Sequence, residues 1–331
     1  MLKNEVAELI SSTNIFEIAS KTNRQINLKD SEKEMVAQFD EWARKIGETG
    51  NDAEHQIAAF VTRVVRDEFA DAPAELLDMI FDRGNIGEFD DYEASIDPVK
   101  NTLVAYDAAH GGNVPRSHLD VASLRPVWRN KQVETDISFQ DLRRNGWKTV
   151  SLLTEYAVKA LENAMFADVF GAINATITLG AQNYIEEATA MPTAASADAL
   201  ALYVNDRANG NGVAVGLSKY IQAISKLPGY DSDAMMNELN RTGRLGMYDG
   251  VSLYPISGAK KMGNDELLIP DKRIFGIAGK IGALDMKGDV HVYEEENINK
   301  EMIHLKVADF TYGYSFNADS LENMCVIAIQ G

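Results

Sequence analysis

WKTVSLLTEYAVKALENAMFADVFGAINATI, residues 147–177, decides how the rest of the chain must be arranged. Leu153, Ala157, Leu161, Met165, Val169, Ile173 and Ile177 recur at steps of four. On a helix of 3.6 residues per turn such a stripe drifts by about 40° per step. Over this length it winds around the cylinder, so the helix must be covered on more than one side. The spacing predicts one long helix over about 149–187, bending at Gly171 or Gly180, with several layers packed on it.

Working upstream, residues 85–148 read as extended. Val99–Tyr106 has the composition of a strand. Residues 107–118 (DAAHGGNVPRSH) form a long tip, and Val133, Thr135, Ile137 and Phe139 alternate with polar partners at the period of a one-sided strand. Together they predict a two-stranded ribbon. A lone ribbon has little core and is marginal in water, so it needs something to lie on. The first 84 residues read as short helices. Ser31-x-x-Glu34 has the form of a capping box, followed by Met35, Val36, Phe39, Trp42, Ala43 and Ile46 at helical spacing and a terminator at Gly47. A second helix is expected from about Asn51, and a third from Pro73 to Gly84.

Downstream, the chain alternates like a compact α/β unit. Helices are expected at Ala197–Ala208 and, with Ser218 as N-cap, at Ser218–Lys226. Strands are expected at 213–217, 251–256, 273–278, 290–293, 304–307 and 324–329.

Charge and composition exclude several functions. The chain has 331 residues and a formal charge of −18, which disfavours broad binding to nucleic acid. Its 45% hydrophobic residues can support real cores. A single cysteine, Cys325, permits neither an intrachain disulfide nor a cysteine zinc site. Residues 1–20 carry Glu5, Glu8 and Glu17, unlike a secretory signal, and the longest uncharged stretch, 169–185, is too short and polar to span a membrane. Gly276-x-x-Gly279-x-x-Gly282 lacks the dinucleotide-loop spacing and reads as turns. The five histidines show no HExxH pattern, and Glu294–Glu296 has no calcium-loop spacing. No catalytic, cofactor or metal residue is expected, and the chain is not expected to be an enzyme. One charge asymmetry remains. Residues 85–98 hold Glu88, Asp90, Asp91, Glu93 and Asp97 without a base, a local −5, whereas residues 116–148 carry +3. The basic ribbon is expected to dock on an acidic surface of another copy, through Arg116, Arg125, Trp128, Arg129, Lys131, Arg143 and Arg144, with charge setting the register.

The order of helical arm, extended loop, long helix, α/β unit and terminal strands resembles the major capsid protein of tailed bacteriophages, with the Hong Kong 97-type fold. The resemblance implies an α+β fold. It implies an N-terminal arm with part of the P-domain at 1–84, an E-loop at 85–148 and the P-domain spine helix at 149–195. An A-domain would follow at 196–300, and strands at 301–331 would complete the P-domain. Val213–Leu217, Gly246–Val251 and Ile274–Ile277 look like this family's A-domain run and return. The implied function is self-assembly, as pentamers and hexamers, into an icosahedral virion shell around packaged double-stranded DNA. The protein would be made in the host cytoplasm, with portal, scaffolding and decoration proteins as further partners and no membrane. Met1 stands at the head of the chain, so removal of a scaffolding segment is not expected. An encapsulin-like nanocompartment shares this fold and stays open as an alternative, as does a soluble α/β enzyme.

Overall fold

The computed structural model describes residues 27–44, 75–90, 95–101, 119–177, 181–208, 212–227, 246–256, 267–288, 290–297, 302–317 and 320–330, with Ile18, Lys21, Thr22 and Ala105. In chain order the elements are α1 (Asp30–Arg44), α2 (Glu75–Ile80), β1 (Phe81–Ile86), β2 (Ser95–Asn101), β3 (Leu119–Leu124), β4 (Val127–Ser138), α3 (Phe139–Asn145), α4 (Trp147–Thr176) and β5 (Tyr184–Glu187). They continue with α5 (Ala194–Ala208), β6 (Gly212–Leu217), α6 (Ser218–Ile224), β7 (Met247–Tyr248), β8 (Val251–Ile256), β9 (Arg273–Ala278), β10 (Gly282–Lys287), β11 (His291–Asn297), β12 (Met302–Phe316) and β13 (Met324–Ile329). This is an α+β architecture.

Two sheets hold the fold. In the five-stranded one, β12 pairs along one edge with β4 and along the other with β11 and then β10, and β1 adds to β10 in parallel. The six-stranded sheet has the order β5-β13-β9-β6-β8-β7. The α4 helix lies against both. Its buried Ala157, Leu161, Met165, Val169, Phe170 and Ile173 share one core with Phe310, Tyr312 and Tyr314 of the first sheet and with Phe275, Ile277 and Val326 of the second. Phe170 and Phe275 rings stand 5.8 Å apart. Each such fully buried side chain contributes about 1.5–3 kcal/mol. The winding stripe therefore has the covering on two sides that its period demands, and Tyr156, 67% exposed, marks the remaining wet face.

The start of α4 is fastened to α1. Gly146, at φ 45°, turns the chain out of α3, and Asp40 Oδ1 sits 2.2 Å from where a Cβ at that position would lie. That oxygen accepts from the Trp147 amide at 2.7 Å, and the Trp147 ring meets Phe39 edge-on at 5.2 Å. Residue 146 must be glycine for this contact to form.

Several expectations need correction. The long helix ends at Thr176, where Ile177 turns extended, and residues 184–187 instead become β5, paired with β13. The third helix is only α2. Gly84 does not terminate it but lies in β1, because the chain gains parallel pairing with β10. At α1 the carboxylate that reaches back is Glu32 and not Glu34, accepting from the Lys29 amide at 2.7 Å. Leu217, not Ser218, caps α6, because Ser218 Oγ is donated to the Ile256 carbonyl. The helix from Asn51, Trp42's packing, the stop at Gly47 and the tip 107–118 lie outside what is described. The ribbon is also rebuilt. β2 pairs with β3 in a sheet of two, whereas the run from Val133, expected as the ribbon's second strand, belongs to β4 and lies along β12 in the core sheet, and Phe139 at its end opens α3. Of the two terminal strands, β12 lies in the five-stranded sheet and β13 in the six-stranded one.

A buried carboxylate joins β5 to α5. Glu187 accepts from the amide and hydroxyl of Thr193 at 3.1 and 2.7 Å, and from those of Thr189 at 3.2 and 2.8 Å. Hydrogen bonds from Ser196, Thr193 and Thr189 lower its pKa from 4.5 to about 2. A lowered carboxylate pKa stabilises the fold above the unfolded value and is lost as pH falls through the folded one. Glu187→Gln is therefore expected to lower the thermal midpoint at pH 7, with the gap to wild type closing between pH 4.5 and about 2, read by circular dichroism across that range.

Candidate subunit interface

The sequence marks seven residues for docking, and the structure places them in three settings. Arg116 is outside the described residues. Arg143 and Arg144 sit in the last turn of α3. Arg125, Trp128, Arg129 and Lys131 lie at the start of β4 and just before it, on the core sheet.

On the α4 side, Arg125, Val127 and Arg129 form one wall of a groove of about 760 Å³, opposite Ala167, Asp168, Gly171, Ala172, Ala175 and Thr176, with Tyr314–Phe316 closing it. The floor is low because α4 carries only small residues there; nothing lies within 4 Å of where a Cβ on Gly171 would be. Val127 is 50% exposed at the rim. Ser315 lines the groove and its buried Oγ has no hydrogen-bond partner among the described residues. Asp168 Oδ2 is already occupied, accepting from Tyr312 Oη at 2.7 Å and from Lys131 Nζ at 2.8 Å. Burial and that carboxylate push the Tyr312 phenol far above its ordinary value, so it stays a donor. Lys131 thus holds its own chain together. Arg125 and Arg129 have no hydrogen bond or ion pair among the described residues.

The opposite face of the sheet is wet. Glu134 pairs with Lys306 at 3.1 Å, His304 Nδ1 meets Asp136, and Tyr293 Oη donates to Asp309 at 3.1 Å. Across this face runs the row Gly84, Asp285, Gly313, Trp128. Both glycines are needed for close approach: Asp285 Oδ1 sits 2.2 Å from a Cβ position on Gly84, and the Trp128 ring lies 2.7 Å from the one on Gly313. Lys287 Nζ lies 5.8 Å from the Trp128 ring centre. Asp285 is 8% exposed and has no ion pair or hydrogen bond among the described residues, so burial raises its pKa. Sequence reasoning did not anticipate the burial of Asp285, because β1 and β10, which enclose it, were not expected as neighbours.

Chemistry elsewhere is quiet. Cys325 is fully buried, and burial pushes its thiol up to about 12, which leaves it unreactive. Of the three glycines expected in turns, Gly279 turns at φ 70°, whereas Gly276 lies inside β9 and Gly282 opens β10. Among the described residues no group of three or more His, Cys, Asp or Glu is placed to hold a metal, and no helix is long and apolar enough to cross a membrane.

A family model described as SPbeta prophage-derived putative capsid protein YonB matches residues 2–314. The chain belongs to this family of phage capsid proteins. It is accordingly a structural protein of the virion capsid. Among solved structures, a chain from Gordonia phage Cozz shares the fold, with 12% identity over 78% of this chain and 87% of that one at a TM-score of 0.53. A chain of the bacteriophage PhiM1 mature capsid aligns over 75% of this chain and 86% of its own, with 10% identity and a TM-score of 0.47. One from Mycobacterium phage Patience aligns over 86% and 91%, with 11% identity and a TM-score of 0.45. No curated protein matches the sequence.

Two outcomes check the interface chemistry of this capsid chain. Asp285→Asn is expected to raise the thermal midpoint at pH 7, because a carboxyl with a raised pKa costs stability while it is ionised. That advantage should shrink as pH falls through the raised value of the folded state and be gone below the ordinary 3.8, where wild-type Asp285 is neutral in both states. Lys131→Glu is expected to destabilise the subunit by about 1–3 kcal/mol, from the loss of a charge-assisted contact to Asp168, whereas Arg125→Glu/Arg129→Glu leaves urea unfolding within about 0.5 kcal/mol of wild type.

Proposed function

We propose that copies of this chain assemble as pentamers and hexamers into an icosahedral shell that encloses packaged double-stranded DNA without reading its sequence. The observation that carries this reading is the two-stranded β2–β3 sheet, which pairs with no other strand among the described residues. Such a ribbon becomes worth ordering when a neighbouring copy covers it. Many modest contacts of this kind, repeated around a closed shell, add up through avidity.

In this reading the Hong Kong 97-type subdivision applies. Residues 1–84 supply the arm and part of the P-domain, 85–148 the E-loop, 149–195 the spine helix, 196–300 the A-domain and 301–331 strands that complete the P-domain. The role is mechanical and not enzymatic. The net charge of −18 suits an inner wall that does not stick to dense DNA. The chain would be made in the host cytoplasm, and portal, scaffolding and decoration proteins would meet its outer contacts.

Sedimentation velocity with negative-stain electron microscopy of the purified full chain tests the reading. Closed multi-megadalton particles are expected, and a single small oligomer would contradict it.

A further inference from the structure

The most exposed large hydrophobic side chain among those described is Phe89, at 92%. It is not on a frayed surface but at the tip of a tight turn, Gly87–Asp90, closed by the Asp90 amide donating to the Gly87 carbonyl at 3.1 Å. Glu88 and Asp90 flank it, both exposed. An aromatic ring held in water between two carboxylates is a knob, and its isolation costs free energy unless something covers it.

The groove beside α4 is the matching hole. Its floor at Gly171 and Ala175 is small and open, Val127 gives it an apolar rim, and Arg125 and Arg129 stand along its wall without partners among the described residues. An aromatic anchor entering a pocket rimmed by arginines is the composition expected at the centre of a protein interface. Opposite charges would set its register.

Knob and hole cannot meet within one chain. The turn follows β1 at one edge of the five-stranded sheet, and the groove is walled by β4 at the other. With β10 and β12 between, β1 and β4 stand about 14 Å apart at a strand spacing of roughly 4.8 Å. Two different patches on opposite edges give a head-to-tail contact, which closes into rings when the rotation per subunit allows.

We infer that the Glu88-Phe89-Asp90 turn of one copy docks into the Arg125/Arg129 groove of the next, making the head-to-tail contact of the capsomer ring. This rests on the shell reading and supplies it with a contact. Two of the residues the sequence marks, Arg125 and Arg129, line the groove, while Lys131 is held by Asp168.

The test uses the full chain and reads particle yield by sedimentation velocity. Phe89→Ala, at a position this exposed, leaves the fold intact and is expected to cut particle yield at least tenfold. Arg125→Glu/Arg129→Glu is expected to do the same, as is Glu88→Arg/Asp90→Arg. Combining both charge reversals in one chain is expected to restore particles. A Phe89→Cys/Ala175→Cys chain, oxidised after assembly, should run as a ladder of covalent oligomers on a non-reducing gel. Normal particles from either charge-reversed variant, a combined reversal no better than its parts, or an absent ladder would overturn the docking while leaving the shell reading in place. A wild-type chain that forms no particles would overturn the shell reading itself.

Discussion

The packing of α4 against two sheets at once is the constraint from which the rest follows. A stripe that drifts around a helix cannot be satisfied by one flat layer. Here β12 covers it from one side through Phe310, Tyr312 and Tyr314, and β9 with β13 from the other through Phe275, Ile277 and Val326. The α1–α4 junction at Asp40 and Trp147 fixes where that helix begins, and the extended turn at Ile177 frees the chain to reach β5. The two sheets are thereby held by a shared core, not by pairing between their strands.

One consequence is that the five-stranded sheet presents two unlike surfaces. The face toward α4 is apolar and closed, except where α4 runs out of large side chains at Gly171 and Ala175 and a groove opens. The other face is a lattice of opposite charges around the buried carboxylate of Asp285, which has no ion pair among the described residues. Its edges differ as well, with an acidic turn carrying Phe89 at one and the Arg125/Arg129 end of β4 at the other. A subunit with unlike edges is suited to head-to-tail repetition, whereas identical edges favour closed pairs.

Much of this was legible in the sequence. The position of α4, the alternation of β6, α6, β8 and β9, and the terminal strands followed from period and length, because those segments are buried on sides that their patterns announce. What could not be read was pairing. The alternation at Val133–Phe139 has the same period whether its partner is another ribbon strand or β12, and only the non-local core chooses. β1 was hidden because Phe81–Ile86 is short and carries Asp82, Arg83 and Gly84, a composition that means strand only beside β10. The charge asymmetry between 85–98 and 116–148 pointed toward complementary contacts. It could not distinguish Lys131, which is consumed internally, from Arg125 and Arg129, which are not.

The position of the Phe89 turn in the assembled particle decides whether copies join head to tail in this way. A cryo-electron microscopy map of particles formed by the full chain measures this directly. The Phe89 ring of one subunit is expected within about 4.5 Å of the Gly171–Ala175 floor in the next, with Arg125 and Arg129 against Glu88 and Asp90. A map in which that turn stands in solvent while another segment fills the groove would contradict it.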